Sequence, residues 1–153
     1  MSTTLVVGSA HEALLQWCED RIGNGTVFSP ETTRCVALLD NDNNYEPIVV
    51  AAIDGWTVNH CEVSMAADKS RRWQTPEFRN AVYSYIFDIC GKHRMNLVIR
   101  VDNDAANKCQ ERLGHTKEAQ MRDWYGPDED AFLWAYTRRE WLDGKQREAD
   151  QPA

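Results

Sequence analysis

Two short stretches of the chain carry side chains able to handle a proton or an anion. In HCEVSM, His60 to Met65, the alternation of a strand puts His60, Glu62 and Ser64 on one face and Cys61, Val63 and Met65 on the other. An imidazole has the ordinary pKa of a base near neutrality. If the apolar set packs inward, the Glu62 carboxylate points to a cleft, where it can take a proton, or to solvent. In KSRRWQTPEF, Lys69 to Phe78, Arg71 and Arg72 come just before a helix start with Thr75 as N-cap and Pro76 in the first position. Unpaired N–H groups and the positive end of the helix dipole suit an anion there. The arginines can add charge-assisted bonds to phosphate oxygens and Trp73 can stack on a base, or the arginines are a solvated pair and Trp73 is packing.

A third stretch, VDNDAANKCQERLGH from Val101 to His115, follows an apolar run. Asn103, or Asp102 before it, caps a short helix with Ala106, Cys109 and Leu113 inward and Gly114 as its left-handed stop. Asp128, Glu129 and Asp130 make an acidic turn that can attract a cationic amine or simply tip a solvated hairpin. Trp134, Tyr136 and Trp141 suit strand packing or an interface. There is no phosphate-binding Walker loop, no metal-ligand spacing and no G-x-S-x-G elbow.

The elements that must hold these residues follow from pattern. TTLVV is a short strand, and Ser9 with Glu12 makes a capping box for a helix carrying Leu14, Leu15, Cys18 and Ile22, with Gly23 as its stop. TRCVALLD, IVVAAIDGWTV and HCEVSMAA form an antiparallel meander. QTPEFRNAVYSYIFDICG is a second helix with Phe78, Val82, Ile86 and Cys90 on one stripe. NLVIRV is a central strand, and KEAQMRDWY and AFLWAYTR are two more around the turn GPDED. The sequence predicts one α+β domain over residues 1–142 and a polar, flexible tail over 143–153.

At 153 residues the chain is long enough for a real core, since folding at this size buries roughly two-thirds of the unfolded surface. Lys and Arg number 17 against 24 Asp and Glu, a net charge of −7, which argues against general nucleic-acid binding but allows a local basic pocket. Five widely spaced cysteines without a C-x-x-C pair suit buried apolar groups in a reducing compartment. The start MSTTLVVGSAHEALL lacks the features of a signal peptide, and no run approaches the ~20 apolar residues of a membrane span. The expectation is a soluble, cytoplasmic protein with no membrane partner.

The order Asn103-Asp-Ala-Ala106, Glu111-Arg-Leu-Gly114, Glu118, Arg122, GPDED and a closing YTRREW resembles the C-terminal half of the GNAT family of N-acetyltransferases. The branch it looks most like includes the ribosomal-protein N-terminal acetyltransferases. The resemblance spans roughly residues 46–142, with His115 where the family has Phe and Ala119 where it has Gly. It implies an α+β fold with a mixed, mostly antiparallel central sheet flanked by helices, the fourth and fifth strands splaying apart. It also implies acetyl-coenzyme A as cofactor and transfer of an acetyl group to an amine of a protein or small molecule. A homodimer or a protein partner is open.

Carried onto this sequence, the resemblance puts backbone groups of Ser64, Met65 and Ala66 against the pantetheine arm, and the diphosphate at Arg71, Arg72, Trp73, Gln74 and Thr75. It makes Glu62 the base and gives Asn103 a water or the cofactor to hold. Most active relatives have a Q/R-x-x-G-x-G/A loop before that helix; this chain has no glycine there, and Pro76 removes one donor. A Trp-x-Thr loop of this kind is similar to that of short GNAT proteins of tailed bacteriophages. The tyrosine acid of many relatives, seven residues after the Asn, is here Gln110, with Tyr125, His115 and Cys109 as unranked substitutes. The alternative is a GNAT-fold binding or structural protein without turnover, such as a phage effector or virion component.

Overall fold

The computed structural model describes residues 2–151. Strand β1 (Thr3–Ser9) leads to helix α1 (Glu12–Ile22), followed by β2 (Arg34–Asp40), β3 (Glu46–Asp54) and β4 (His60–Ala67). Helix α2 (Pro76–Tyr83) continues into a π-helical segment, Ser84–Ile89, and then come β5 (Arg94–Arg100), α3 (Asp104–Arg112), β6 (Thr116–Gly126), β7 (Glu129–Thr137) and α4 (Arg138–Ala149). One seven-stranded sheet has the order β1-β2-β3-β4-β5-β7-β6. Only β4 and β5 run parallel; every other neighbouring pair is antiparallel.

The continuous apolar run Ile48 to Ile53 is explained by helices on both faces of β3. Val50 and Ala52 join Cys35 and Ala37 of β2 against Leu14, Leu15 and Cys18 of α1. Val49, Ala51 and Ile53 join Val36, Leu38, Cys61 and Val63 against Phe78, Val82 and Ile86 of the second helix. All five cysteines are free thiols, and four are buried.

Three local features differ from the sequence-based expectations. Ser9 does not cap α1: it stays in the sheet opposite Cys35 after a bulge at Gly8, so His11 is the N-cap and makes no side-chain cap bond. The second helix widens after Tyr83 into π geometry, which lets three consecutive residues, Tyr85, Ile86 and Phe87, all be buried. The polar segment after Asp143 remains helical to Ala149, because Thr137 and Glu140 form a full capping box at the start of α4 and Trp141 is buried beside Phe87. Residues 152 and 153 of that segment lie outside the described residues.

Thr75 and Asn103 do cap α2 and α3, accepting from the Phe78 and Ala106 N–H groups. Among the described residues no helix is long and apolar enough to cross a membrane.

Candidate functional site

β4 and β5 pair at His60–Arg94, Cys61–Met95 and Glu62–Asn96, and then part. β4 remains paired with β3 as far as Ala67, and β5 with β7 as far as Arg100. The edges that face each other beyond Glu62 therefore lack a strand partner on that side, and their backbone groups are open to a ligand. Ser64, Met65 and Ala66 lie on this edge. The splay also explains why Val98 and Ile99, in a central strand, are only half-buried.

A cavity lies on each face of the opening. On the α2 face, about 230 Å³ is enclosed by Val63, Met65, Met95 and Leu97 of the strands, Phe78, Val82 and Tyr83 of α2, and Cys109, Gln110, Leu113 and His115 after β5. Trp73, Gln74, Thr75, Arg79 and Arg112 line the same cavity. On the α1 face, about 440 Å³ is bounded by Glu62, Ser64, Ala66, Asn96, Arg100 and Asn103, by Trp124 and Tyr125 of β6, and by Arg21 and Asn24 near the end of α1. Val63, Met65, Leu97 and Gln110 line both cavities, which adjoin through the splay.

Neither a protein-family model nor a curated protein matches the chain. Solved structures do. Spermidine/spermine N-acetyltransferase SpeG from Vibrio cholerae aligns with a TM-score of 0.72 and 14% identity, over 93% of this chain and 96% of that one. Ribosomal-protein-S5-alanine acetyltransferase from Vibrio fischeri aligns with a TM-score of 0.68 and 14% identity, over 92% and 96%. The chain has the GNAT fold.

Within this GNAT fold the residues singled out by sequence divide into groups. Trp73, Gln74 and Thr75 line the α2-face cavity, and Trp73 also packs on the core. Arg72 turns away from that cavity's wall: its guanidinium contacts Asp40 at 2.7 Å and Asp68 at 3.2 Å. Arg71 is exposed, with φ of 64°. The donors of the loop are mostly spent inside it, since Arg72 N–H bonds to Ser70 Oγ, Gln74 N–H to Arg71 O and Thr75 N–H to Trp73 O. The Phe78 and Arg79 N–H groups bond to Thr75. Among the described residues, the N–H groups of Trp73 and Glu77 remain unpaired beside the helix start.

Glu62 is exposed on the α1 face, packed over Gly55 and opposite Asp54. Burial, helped by the charge of Glu62, raises the Asp54 carboxyl above its usual range. Asn103 is committed to its cap, with its side chain on the Ala106 N–H at 3.2 Å, yet it lines the same cavity. The three substitutes for a tyrosine acid separate by face. Tyr125 is on the α1 side beneath the Arg100 guanidinium, while Cys109 and His115 are on the α2 side. His115 Nε2 shares a 2.6 Å hydrogen bond with Tyr83 Oη, and burial lowers its pKa to about 4. Burial likewise raises the Cys109 thiol.

Two carboxylates of the acidic turn are engaged, one within the hairpin and one by Arg100 of β5. Asp130 accepts from Asp123 N–H and Gln120 Nε2, and Glu129 pairs with Arg100. Trp134 donates from Nε1 to Asn107, and Tyr136 stacks on His115. The sequence reading missed Arg79, Arg112, Tyr83, Arg21 and Trp124 as cavity residues. Helical spacing contains the first two, because Arg79 lies one turn after Thr75 and Arg112 one turn after Cys109. Arg21 and Trp124 come from elements remote in the chain, and no local pattern marks them.

Proposed function

We propose that the chain is a cytoplasmic acetyl-coenzyme A dependent N-acetyltransferase acting on an amine of a protein or small molecule. The observation that supports this most is the pair of cavities adjoining through the splay. Acyl transfer needs a thioester and an amine that meet at one opening while their remaining parts lie apart.

The residues fit the reactive end of the cofactor well. The free edge from Ser64 through Ala66 offers backbone groups to an amide-bearing arm, and Met65, Val63 and Leu97 give that arm apolar walls. The cofactor supplies an activated acyl carbon when bound. Glu62, on the opposite face, takes the amine proton directly or through a water, and Asn103 orients that water in addition to its capping role. The Ser64–Ala66 edge with Val63, Met65 and Leu97 would hold that thioester, which would supply the acyl group to the amine nitrogen and carry off the bonding pair as the leaving thiolate. For the phosphate end, Arg71, Arg79 and Arg112 supply charge and Trp73 and Glu77 supply N–H groups, while Gln74 and Thr75 wall the cavity. Arg72 holds the loop in shape. That end departs from a glycine-rich cradle, in which most loop N–H groups would be free.

The spent donors favour a second reading, a GNAT-fold binding or structural protein without turnover. Thermal melting with acetyl-coenzyme A decides between them. At about a hundred times its dissociation constant, linkage gives ~2.7 kcal/mol, or roughly 5–10 °C for a chain of this size. No shift at millimolar cofactor sinks the enzyme reading. A shift followed by acetylation of spermidine or of a peptide with a free N-terminal alanine supports it. Light scattering on the same sample reads a homodimer; the Vibrio cholerae enzyme is known as a dodecamer.

A further inference from the structure

Arg21 lines the α1-face cavity with a guanidinium that no carboxylate answers among the described residues. Three charged side chains of the described residues line this cavity: Arg21, Arg100 and Glu62. Arg100 is engaged, holding Glu129 at 2.9 Å and Asp102 at 3.4 Å and lying over the Tyr125 ring. Arg21 makes no such bond; its guanidinium lies 4.2 Å from the centre of the Trp17 ring. The acids beside it in the chain are occupied elsewhere, Glu19 by the Phe28 N–H and Asp20 by Gln16 Nε2. A basic residue in the last turn of α1 suits the helix dipole, but the dipole does not require that it line the cavity. Trp124, 54% exposed, and Tyr125 give the same cavity an aromatic wall.

Resting on the acetyltransferase reading, we infer that the acceptor is an amine that also carries a carboxylate or phosphate, which Arg21 binds while the amine lies at Glu62. Charge selects this class. Glu62 is the carboxylate among the cavity's lining residues, and the reacting amine occupies it. A diamine or polyamine would set a further ammonium beside Arg21 with no lining carboxylate left to meet it, a like-charge contact that disfavours the wrong partner. Glu129 and Asp102 do not supply that carboxylate, since they answer Arg100 and do not line the cavity. An uncharged remainder would leave the Arg21 donors unused. A carboxylate or phosphate instead meets a planar fork of N–H groups that matches its geometry. At about 440 Å³ the cavity has the size of a small-molecule site, and the stretch of acceptor between its two charges runs along Trp124 and Tyr125.

The probes are ω-amino acids of increasing length, the ω-aminoalkyl phosphates, and the alkylamines and diamines of matching length. With acetyl-coenzyme A, kcat/KM is expected to be about 10-fold higher for the best anion-bearing amine than for its alkylamine, and to exceed that of its diamine by more. The stronger of the two anionic series identifies the group that Arg21 takes. Arg21→Gln should bring the ratio to the alkylamine near one, chiefly through KM, and Arg21→Lys should restore part of it. Calorimetry with unacylated coenzyme A present should read the same loss of affinity without turnover. A merely structural Arg21 would instead lower the melting temperature and weaken every series alike, which overturns the inference. A wild type that prefers diamines or spermidine, or that treats the series equally, also overturns it and leaves the enzyme reading standing. An Arg21→Gln variant that keeps the wild-type ratio does the same. If acetyl-coenzyme A binds and no series is acetylated, this inference falls alone; if acetyl-coenzyme A does not bind, the enzyme reading falls with it.

Discussion

Arg72 Nη1 lies 2.7 Å from Asp40 Oδ2, tying the loop ahead of α2 to the end of β2. The hydrogen bond from Arg72 holds the Asp40 carboxyl below the usual carboxylate range, and Asp68 takes the other arm of the fork at 3.2 Å. A guanidinium engaged this way acts on the loop, and through it on Trp73 and Thr75. Arg72→Ala should lower the melting temperature while changing the acetyl-coenzyme A dissociation constant less than about twofold, and Asp40→Ala combined with it should cost little more than either alone. Calorimetry on the three variants is the check. Lost affinity with an unchanged melting temperature would return Arg72 to the cofactor site.

The buried Tyr83–His115 pair gives the fold a pH dependence whose sign is fixed. Burial lowers the His115 pKa from 6.5 to about 4. Between those values the unfolded chain binds a proton that the folded chain does not, so stability is complete above the ordinary histidine pKa and is lost as pH falls toward 4. The span corresponds to about 3 kcal/mol. Urea titrations at pH 7 and pH 4.5 should show this loss, and the double substitution Tyr83→Phe with His115→Phe should reduce it. An equal loss in the double variant would assign the dependence to other groups.

Much of the scaffold was legible in the sequence, because strands buried on two faces, Thr75 ahead of Pro76, and Asn103 ahead of an apolar helical stripe are local patterns with local causes. The caps at Thr75 and Asn103 formed as read, while Ser9 failed because pairing with β2 claimed it. The splay was legible only through a family likeness: nothing in HCEVSMAA or NLVIRV says that pairing stops after Glu62. The different fates of Arg71 and Arg72 were not legible either. They depend on Asp40, a residue 32 positions away brought close by the sheet. The α1-face cavity draws Arg21 and Trp124 from opposite halves of the chain, beyond the reach of periodicity.

Gly8 sets how closely β1 and the π-helical segment approach. Its φ is 71°, and a Cβ placed there would lie 2.6 Å from Tyr85 Cε1. Gly8→Ala combines left-handed backbone strain with a clash and should cost about 1–3 kcal/mol, lowering the melting temperature by several degrees. In a Tyr85→Ala background the same change should cost less, since the clash is gone and only the strain remains. Equal costs in both backgrounds would mean that the ring yields freely.

Glu62 and Asp54 face each other across β4 and β3, and only Glu62 reaches the cavity on the α1 face. Gly55 is the reason Glu62 can lie where it does, since a Cβ on that residue would meet its Cγ at 3.0 Å. If Glu62 takes the amine proton, Glu62→Gln should reduce kcat/KM roughly 100-fold at neutral pH, within the usual range for a lost general base. Cofactor affinity should be unaffected, because Glu62 does not line the α2-face cavity proposed for the cofactor. Raising the pH should restore part of the rate, as more of the amine arrives already neutral. Loss of the Glu62 charge should also let the Asp54 carboxyl titrate lower, an NMR shift that reports the substitution's local effect independently of turnover. A variant that keeps full activity while Asp54 moves as expected would show the carboxylate removed cleanly and would exclude Glu62 as the base.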